Sequence, residues 1–283
     1  MSGKVIAFVD GSIYATSVCD HAAWIAKRTG APVVVVHVLR SNGVIPPDVG
    51  APAPLGRRSG VMDELAALDA QRARLMGVQG RALLEDAKTL LEAAGIQDVT
   101  TELRQGDLVS IVGDYEPEAR GIVLGKRGEE ADQAMEHLGA NLERISRSCR
   151  GPVLVANRAF KPIERILVAH DGGVSALKAV DHIARSPLYT GLTVHLVAVD
   201  IDSPAVKKRL SDAQAMLAAA GIVAETTLTQ GQPEAVLGRM VDEENYDMLV
   251  MGAYGHSRIR SLFIGSTTTA TMRACRVPVV LFR

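Results

Sequence analysis

The feature that most constrains this chain is that it repeats itself. Val5-Ile6-Ala7-Phe8-Val9-Asp10-Gly11 resembles Ile166-Leu167-Val168-Ala169-His170-Asp171-Gly172. Thr101-Glu102-Leu103-Arg104-Gln105-Gly106 resembles Thr226-Thr227-Leu228-Thr229-Gln230-Gly231. Ile122-Val123-Leu124-Gly125 resembles Leu249-Val250-Met251-Gly252, and the Cys149-Arg150-Gly151-Pro152 run resembles Cys275-Arg276-Val277-Pro278. The offset is 161 between Asp10 and Asp171, then 125, 127 and 126 at Gln105, Gly125 and Pro152. The first half therefore carries about 35 extra residues, all before Gln105. Steady offsets of this size exclude a solenoid, whose period is ~20–50 residues. They predict two homologous domains, residues 1–158 and 163–283, joined near Asn157–Glu164.

Each half alternates short apolar runs with helical patterns. The runs are Val5–Asp10, Val33–Leu39, Val99–Arg104, Gly121–Gly125 and Pro152–Val155, then Ile166–Ala169, Thr193–Val199, Val223–Leu228, Met248–Gly252 and Pro278–Phe282. Continuous Val/Ile/Leu runs suit strands covered on both faces. Helices are predicted at Ser12–Arg28, Val61–Ala94, Ala134–Arg147, Ala176–Arg185 and Ala205–Ala220, with Gly95 and Gly221 as left-handed caps. This order predicts an α/β fold: two tandem open parallel five-stranded sheets flanked by helices, with right-handed crossovers. The extra segment, Ser41–Gly80, opens with four prolines and several glycines and reads as a loop leading into an elongated second helix; a partner-docking loop is the sharper alternative.

Composition narrows the function. Formal charge is −1, which argues against sequence-independent nucleic-acid binding. No apolar run approaches the ~20 residues of a membrane span, and the start of the chain lacks a signal-peptide layout. Cys19, Cys149 and Cys275 are widely spaced and form neither a CxxC pair nor a disulfide framework. The expectation is a cytoplasmic protein with buried structural thiols.

In an open parallel sheet, ligands bind beyond the carboxyl ends of the strands. Neither half has G-x-G-x-x-G after its first strand, and Gly125-Lys126-Arg127 lacks the hydroxyl of a P-loop. Instead the second half has Gly252-Ala253-Tyr254-Gly255-His256 after a strand, then Gly265-Ser266-Thr267-Thr268-Thr269 opening a helix. Bare backbone N–H groups and a helix N-terminus brought together suit a phosphate. A tight turn with an N-capped helix explains the same residues without a ligand. No protein metal site is predicted, because neither His170 nor His256 has partners at ligand spacing.

These loops resemble the universal stress protein family in its tandem two-domain form. Gly252, Gly255, Gly265 and Ser266 match the family's G-x2-G-x9-G-[S/T] nucleotide motif in full. The resemblance implies a Rossmann-like α/β/α sandwich that binds ATP, with Mg²⁺ carried in on the nucleotide. Adenine would lie near Ala169, Asp171 and Val199, and the phosphates over Gly252, Gly255, His256, Gly265, Ser266, Thr267 and Thr268. The first half departs from the pattern. Asp10, Val38, Gly125 and Gly128 are kept, but ten residues separate Gly128 from Gly139, and Ala140 replaces the hydroxyl residue. A reshaped site, with Lys126 and Arg127 adding positive charge, or no site at all, is expected there. The family also implies an internal pseudo-dimer through the two last strands, with a further homodimer of tandem chains and an unknown regulatory partner. Three functions stay open: an ATP-binding stress or regulatory protein, a slow ATPase or self-phosphorylating protein acting through Ser266 or Thr267–Thr269, and a nucleotide-free scaffold.

Overall fold

The computed structural model describes residues 3–39, 58–126, 140–253 and 266–283, with the side chains at 58–63, 140, 266 and 267 left aside. The first half runs β1 (Lys4–Phe8), α1 (Ala15–Thr29), β2 (Val33–Leu39), α2 (Arg58–Ala93), β3 (Val99–Gln105), α3 (Leu108–Tyr115), β4 (Ala119–Gly125), α4 (Ala140–Ser148) and β5 (Val153–Ala156). The second runs β6 (Arg165–Ala169), α5 (Val174–Arg185), β7 (Thr193–Val199), α6 (Pro204–Ala219), β8 (Ala224–Thr229), α7 (Pro233–Glu243), β9 (Met248–Gly252), α8 (Ser266–Ala274) and β10 (Val279–Phe282). A strand stands in each of the ten predicted runs. Two helices, α3 and α7, lie where the sequence reading names none; at 8 and 11 residues they are too short to show many turns of apolar periodicity.

Strand order is β3-β2-β1-β4-β5-β10-β9-β6-β7-β8. Within each half every pairing is parallel. The two expected sheets are joined edge to edge into one of ten strands, because β5 and β10 pair antiparallel: Val155 faces Val279, Leu154 faces Val280 and Val153 faces Leu281. Each last strand would otherwise present unpaired backbone groups, and the pairing covers both.

Alternating residues feed two cores. Val5 and Ala7 point to the layer of α1, α2, α5 and α6, while Ile6 and Phe8 point to the layer of α3, α4, α7 and α8. Gly95 (φ +85°) and Gly221 (φ +77°) follow α2 and α6 in the left-handed conformation that ends a helix. Helix α2 is 36 residues long; its stretch from Glu64 to Leu75 is exposed, and its C-terminal part packs on β2, β3 and α1. The seam between halves is also tied by side chains. Arg28 Nε donates to Leu188 O (2.6 Å), Asn157 Nδ2 to Arg276 O (2.9 Å) and Arg283 Nη1 to Ser148 O (3.3 Å).

Candidate functional site

From β6 the chain winds through β7 to β8 on one side, then crosses to β9 on the other. The gap between β6 and β9 is therefore a topological switch point, and the carboxyl ends of β6, β7 and β9 form its mouth. Beyond Ala169, His170 N donates to Val197 O (2.8 Å), the last bond holding this segment to β7. In a parallel ladder, residues two apart turn their N–H and C=O to the same side. Val199, two residues past Val197, thus turns its peptide edge toward the mouth beyond the end of β6. Asp171 leads into α5: its Oδ1 accepts from Gly173 N (2.8 Å), and Gly172 takes φ +79° to make the turn.

At the other wall, β9 ends at Gly252. A Cβ there would lie 2.9 Å from Ser175 Cβ and 3.3 Å from Ala176 N, so packing against α5 already demands glycine without any ligand. Ala253 N donates to Phe282 O (2.7 Å), and Ala253 O accepts from Thr268 Oγ1 (3.0 Å). Helix α8 opens at Ser266 with its first turn fastened to the end of β9. Its leading N–H groups have no partners within the helix and, with the helix dipole, favour an anion. Thr268 is buried and its hydroxyl donates to Ala253 O, which commits that proton to the end of β9. Gly255, His256 and Gly265 lie outside the described residues.

The first half repeats part of this mouth. Asp10 Oδ1 accepts from Ser12 N (3.1 Å), the same turn device as Asp171. Val38 lies near the end of β2, and Gly125 ends β4. Gly128 and Gly139 lie outside the described residues. Lys126 differs from expectation. Its Nζ donates to Cys275 O (2.9 Å) and approaches Arg273 O (3.5 Å), the last carbonyls of α8 in the other half. A cation is stabilised at a helix C-terminus, so this ammonium ties the seam to the end of α8.

The three thiols are buried, and burial holds them protonated: Cys19 is pushed up to about 12, Cys149 and Cys275 to about 11. Among the described residues, no group of three or more His, Cys, Asp or Glu could hold a metal ion, and no helix is long and apolar enough to cross a membrane. The sequence reading missed Arg209, which lies on Gly172 at the mouth, and the pair of buried His21 and half-buried His182. The pair had a signal, because the two histidines stand 161 residues apart, the same offset as Asp10 and Asp171.

A duplicated, doubly wound α/β chain with a mouth at each switch point is a tandem Rossmann-like protein. The model of the "Universal stress protein family" matches residues 1–157 and 162–283. The universal stress protein Slr1230 of Synechocystis is 35% identical over 285 residues, 99% of each chain. One from Mycobacterium tuberculosis is 23% identical over 316 residues, covering 99% of this chain and 94% of its own. Among solved structures, a universal stress protein from Archaeoglobus fulgidus shares the fold at TM-score 0.72 and 21% identity, covering 100% of this chain and 99% of that one. The chain belongs to the universal stress protein family.

Proposed function

We propose that the C-terminal half binds ATP or a closely related adenine nucleotide, and that the chain is a cytoplasmic stress-response protein sensing nucleotide without obligate turnover. One observation carries this reading. The Asp171 turn, the outward edge of Val199, the end of β9 and the first turn of α8 meet at the carboxyl end of one parallel sheet, at its switch point. These parts fit the group: a backbone edge offers a donor and an acceptor to a base, and a helix N-terminus favours a triphosphate. Asp171 and Ala169 would flank the base, and Gly252, Gly255, His256, Gly265, Ser266 and Thr267 would surround the phosphates. Mg²⁺ would enter on those phosphates. A regulatory partner or a homodimer of tandem chains would need other surfaces, since β5 and β10 already cover each other.

The test is an equilibrium ATP titration of the wild type and Gly265→Val, with circular dichroism to verify folding. Gly252→Val is a poorer probe, because its side chain would strike Ser175. Micromolar to millimolar binding by the wild type and a loss of at least tenfold in the variant are expected. No binding by the wild type, or equal affinity in both, would remove the loop from the reading.

A further inference from the structure

Helix α2 carries apolar residues on the face turned away from the sheet. At about 100° per residue, side chains two or nine apart point to nearly opposite sides of a helix. Gly80 faces the sheet, where a Cβ would meet His37 Cδ2 and Leu103 Cδ1 at 2.8 Å, and Leu84 is buried. Val78, two residues before Gly80, and Leu75, nine before Leu84, therefore point outward, and together with Leu65 and Leu68 they are 51% to 61% exposed. Their spacing places all four within roughly 140° of the helix surface, which makes one stripe rather than scattered exposed residues. The second half has no equivalent. Counting back from Gly95 and Gly221, Pro204 at the start of α6 corresponds to Val78, so the stretch before Val78 belongs to the extra residues of the first half.

The stripe is complementary to itself. Leu68 and Leu75 are equidistant from a midpoint between Gln71 and Arg72, and so are Leu65 and Val78. Charge changes sign at the same point: Glu64 and Asp69 precede it, Arg72, Arg74 and Arg81 follow it, and all five are exposed. An antiparallel copy of the helix lays each acidic end over a basic one, whereas a parallel copy lays like over like. We propose that α2 is a dimerisation face, pairing antiparallel with α2 of a second copy of this chain about a twofold axis beside Gln71 and Arg72. A twofold interface uses the same patch on both copies and so requires a surface that complements itself. Leu68 then lies level with Leu75 of the second copy, and Leu65 with its Val78. The last strands β5 and β10, already paired with each other, take no part, and the pairing does not depend on the nucleotide site. One helix per copy, in contact over about 27 Å from Glu64 to Arg81, suits a reversible dimer rather than an obligate one.

The test is sedimentation velocity of the full chain from micromolar to millimolar concentration, with circular dichroism to verify folding. The wild type should dimerise with a micromolar dissociation constant, and the double variant Leu68→Glu, Leu75→Glu should weaken this at least tenfold by gathering carboxylates at the axis. Oxidative cross-linking reads the orientation, and the three native thiols, being buried, should not disturb it. Arg72→Cys, beside the axis, should link to its own copy, while Val78→Cys, about 20 Å from its counterpart along the paired helices, should not. A wild type that stays monomeric, a dimer that the double variant leaves intact, or linkage of Val78→Cys in place of Arg72→Cys overturns the proposal. So does a monomer that co-sediments with vesicles of phosphatidylglycerol and phosphatidylcholine, because the stripe would then be a membrane-binding face.

Discussion

The two halves share one topology and use it differently. Each orders its strands 3-2-1-4-5 in its own count, and each turns after its first strand with an aspartate accepting from a backbone N–H two residues on. They part at the residue that follows the fourth strand. In the first half this is Lys126, whose ammonium crosses the seam to the end of α8. In the second it is Ala253, nearly fully buried, whose carbonyl fastens the first turn of α8. Both ends of α8 are thus held, one by each half. The lesson is that the half with the altered glycine motif supports the helix that opens the intact one.

The largest expected effect tests whether the halves are energetically one body. Leu91 in α2 and Leu217 in α6 are repeat counterparts, and both are almost wholly buried. Truncating either to alanine removes contacts and leaves a cavity, costing roughly 2–5 kcal/mol. The β5–β10 strands are buried along their length, so both variants should shift one common urea transition. Two separable transitions, each moved by only one variant, would show that the halves unfold independently.

A second contrast lies in the repeat-related histidines. His21 is fully enclosed, with Nδ1 2.7 Å from Ser17 O and its ring edge-on to Phe160, and burial pushes it down to about 4. His182 packs against Tyr189 and Phe282, and burial lowers it too, opposed by nearby Asp181. Between pH 6.5 and 4 the unfolded chain binds a proton at His21 that the folded chain does not. Stability is therefore present above pH 6.5 and is lost as pH falls toward 4, by up to about 3 kcal/mol for this group. Replacing His21 with leucine should flatten that slope in denaturant midpoints measured from pH 7 to 4, and replacing His182 should flatten it less. An unchanged slope in His21→Leu would locate the acid sensitivity elsewhere.

The fold was largely legible because its signals are local. Runs such as Val33–Val36, β-branched throughout, suit strands covered on both faces, and Gly95 and Gly221 mark helix ends by their own backbone needs. The frame of the candidate site was legible to the extent that it consists of chain landmarks: Asp171 after a strand, Gly252 at the end of another, Ser266 opening a helix. What escaped depends on contacts between distant residues. Arg209 sits among Lys207, Lys208 and Asp212 and reads as one more solvated charge; only the turn at Gly172 shows where it lies. Gly252 reads as a phosphate glycine, yet Ser175, 77 residues earlier, suffices to require it. Lys126 reads as a cation for its own loop because nothing in sequence connects it to Cys275 in the other half.

The smallest effect addresses that last residue directly. Lys126→Met keeps the aliphatic stem and removes the ammonium from the final carbonyls of α8. The contact is partly buried, and a cation at a helix C-terminus is worth up to about 1 kcal/mol. Lys126→Met should lower the stability read from the urea transition by about that amount, and Lys126→Arg should recover most of it. Tripolyphosphate affinity should change by no more than the small loosening of α8 allows. An unchanged midpoint together with a large loss of anion binding would reverse the comparison: Lys126 would be a ligand of the first half, and the seam would hold α8 without it.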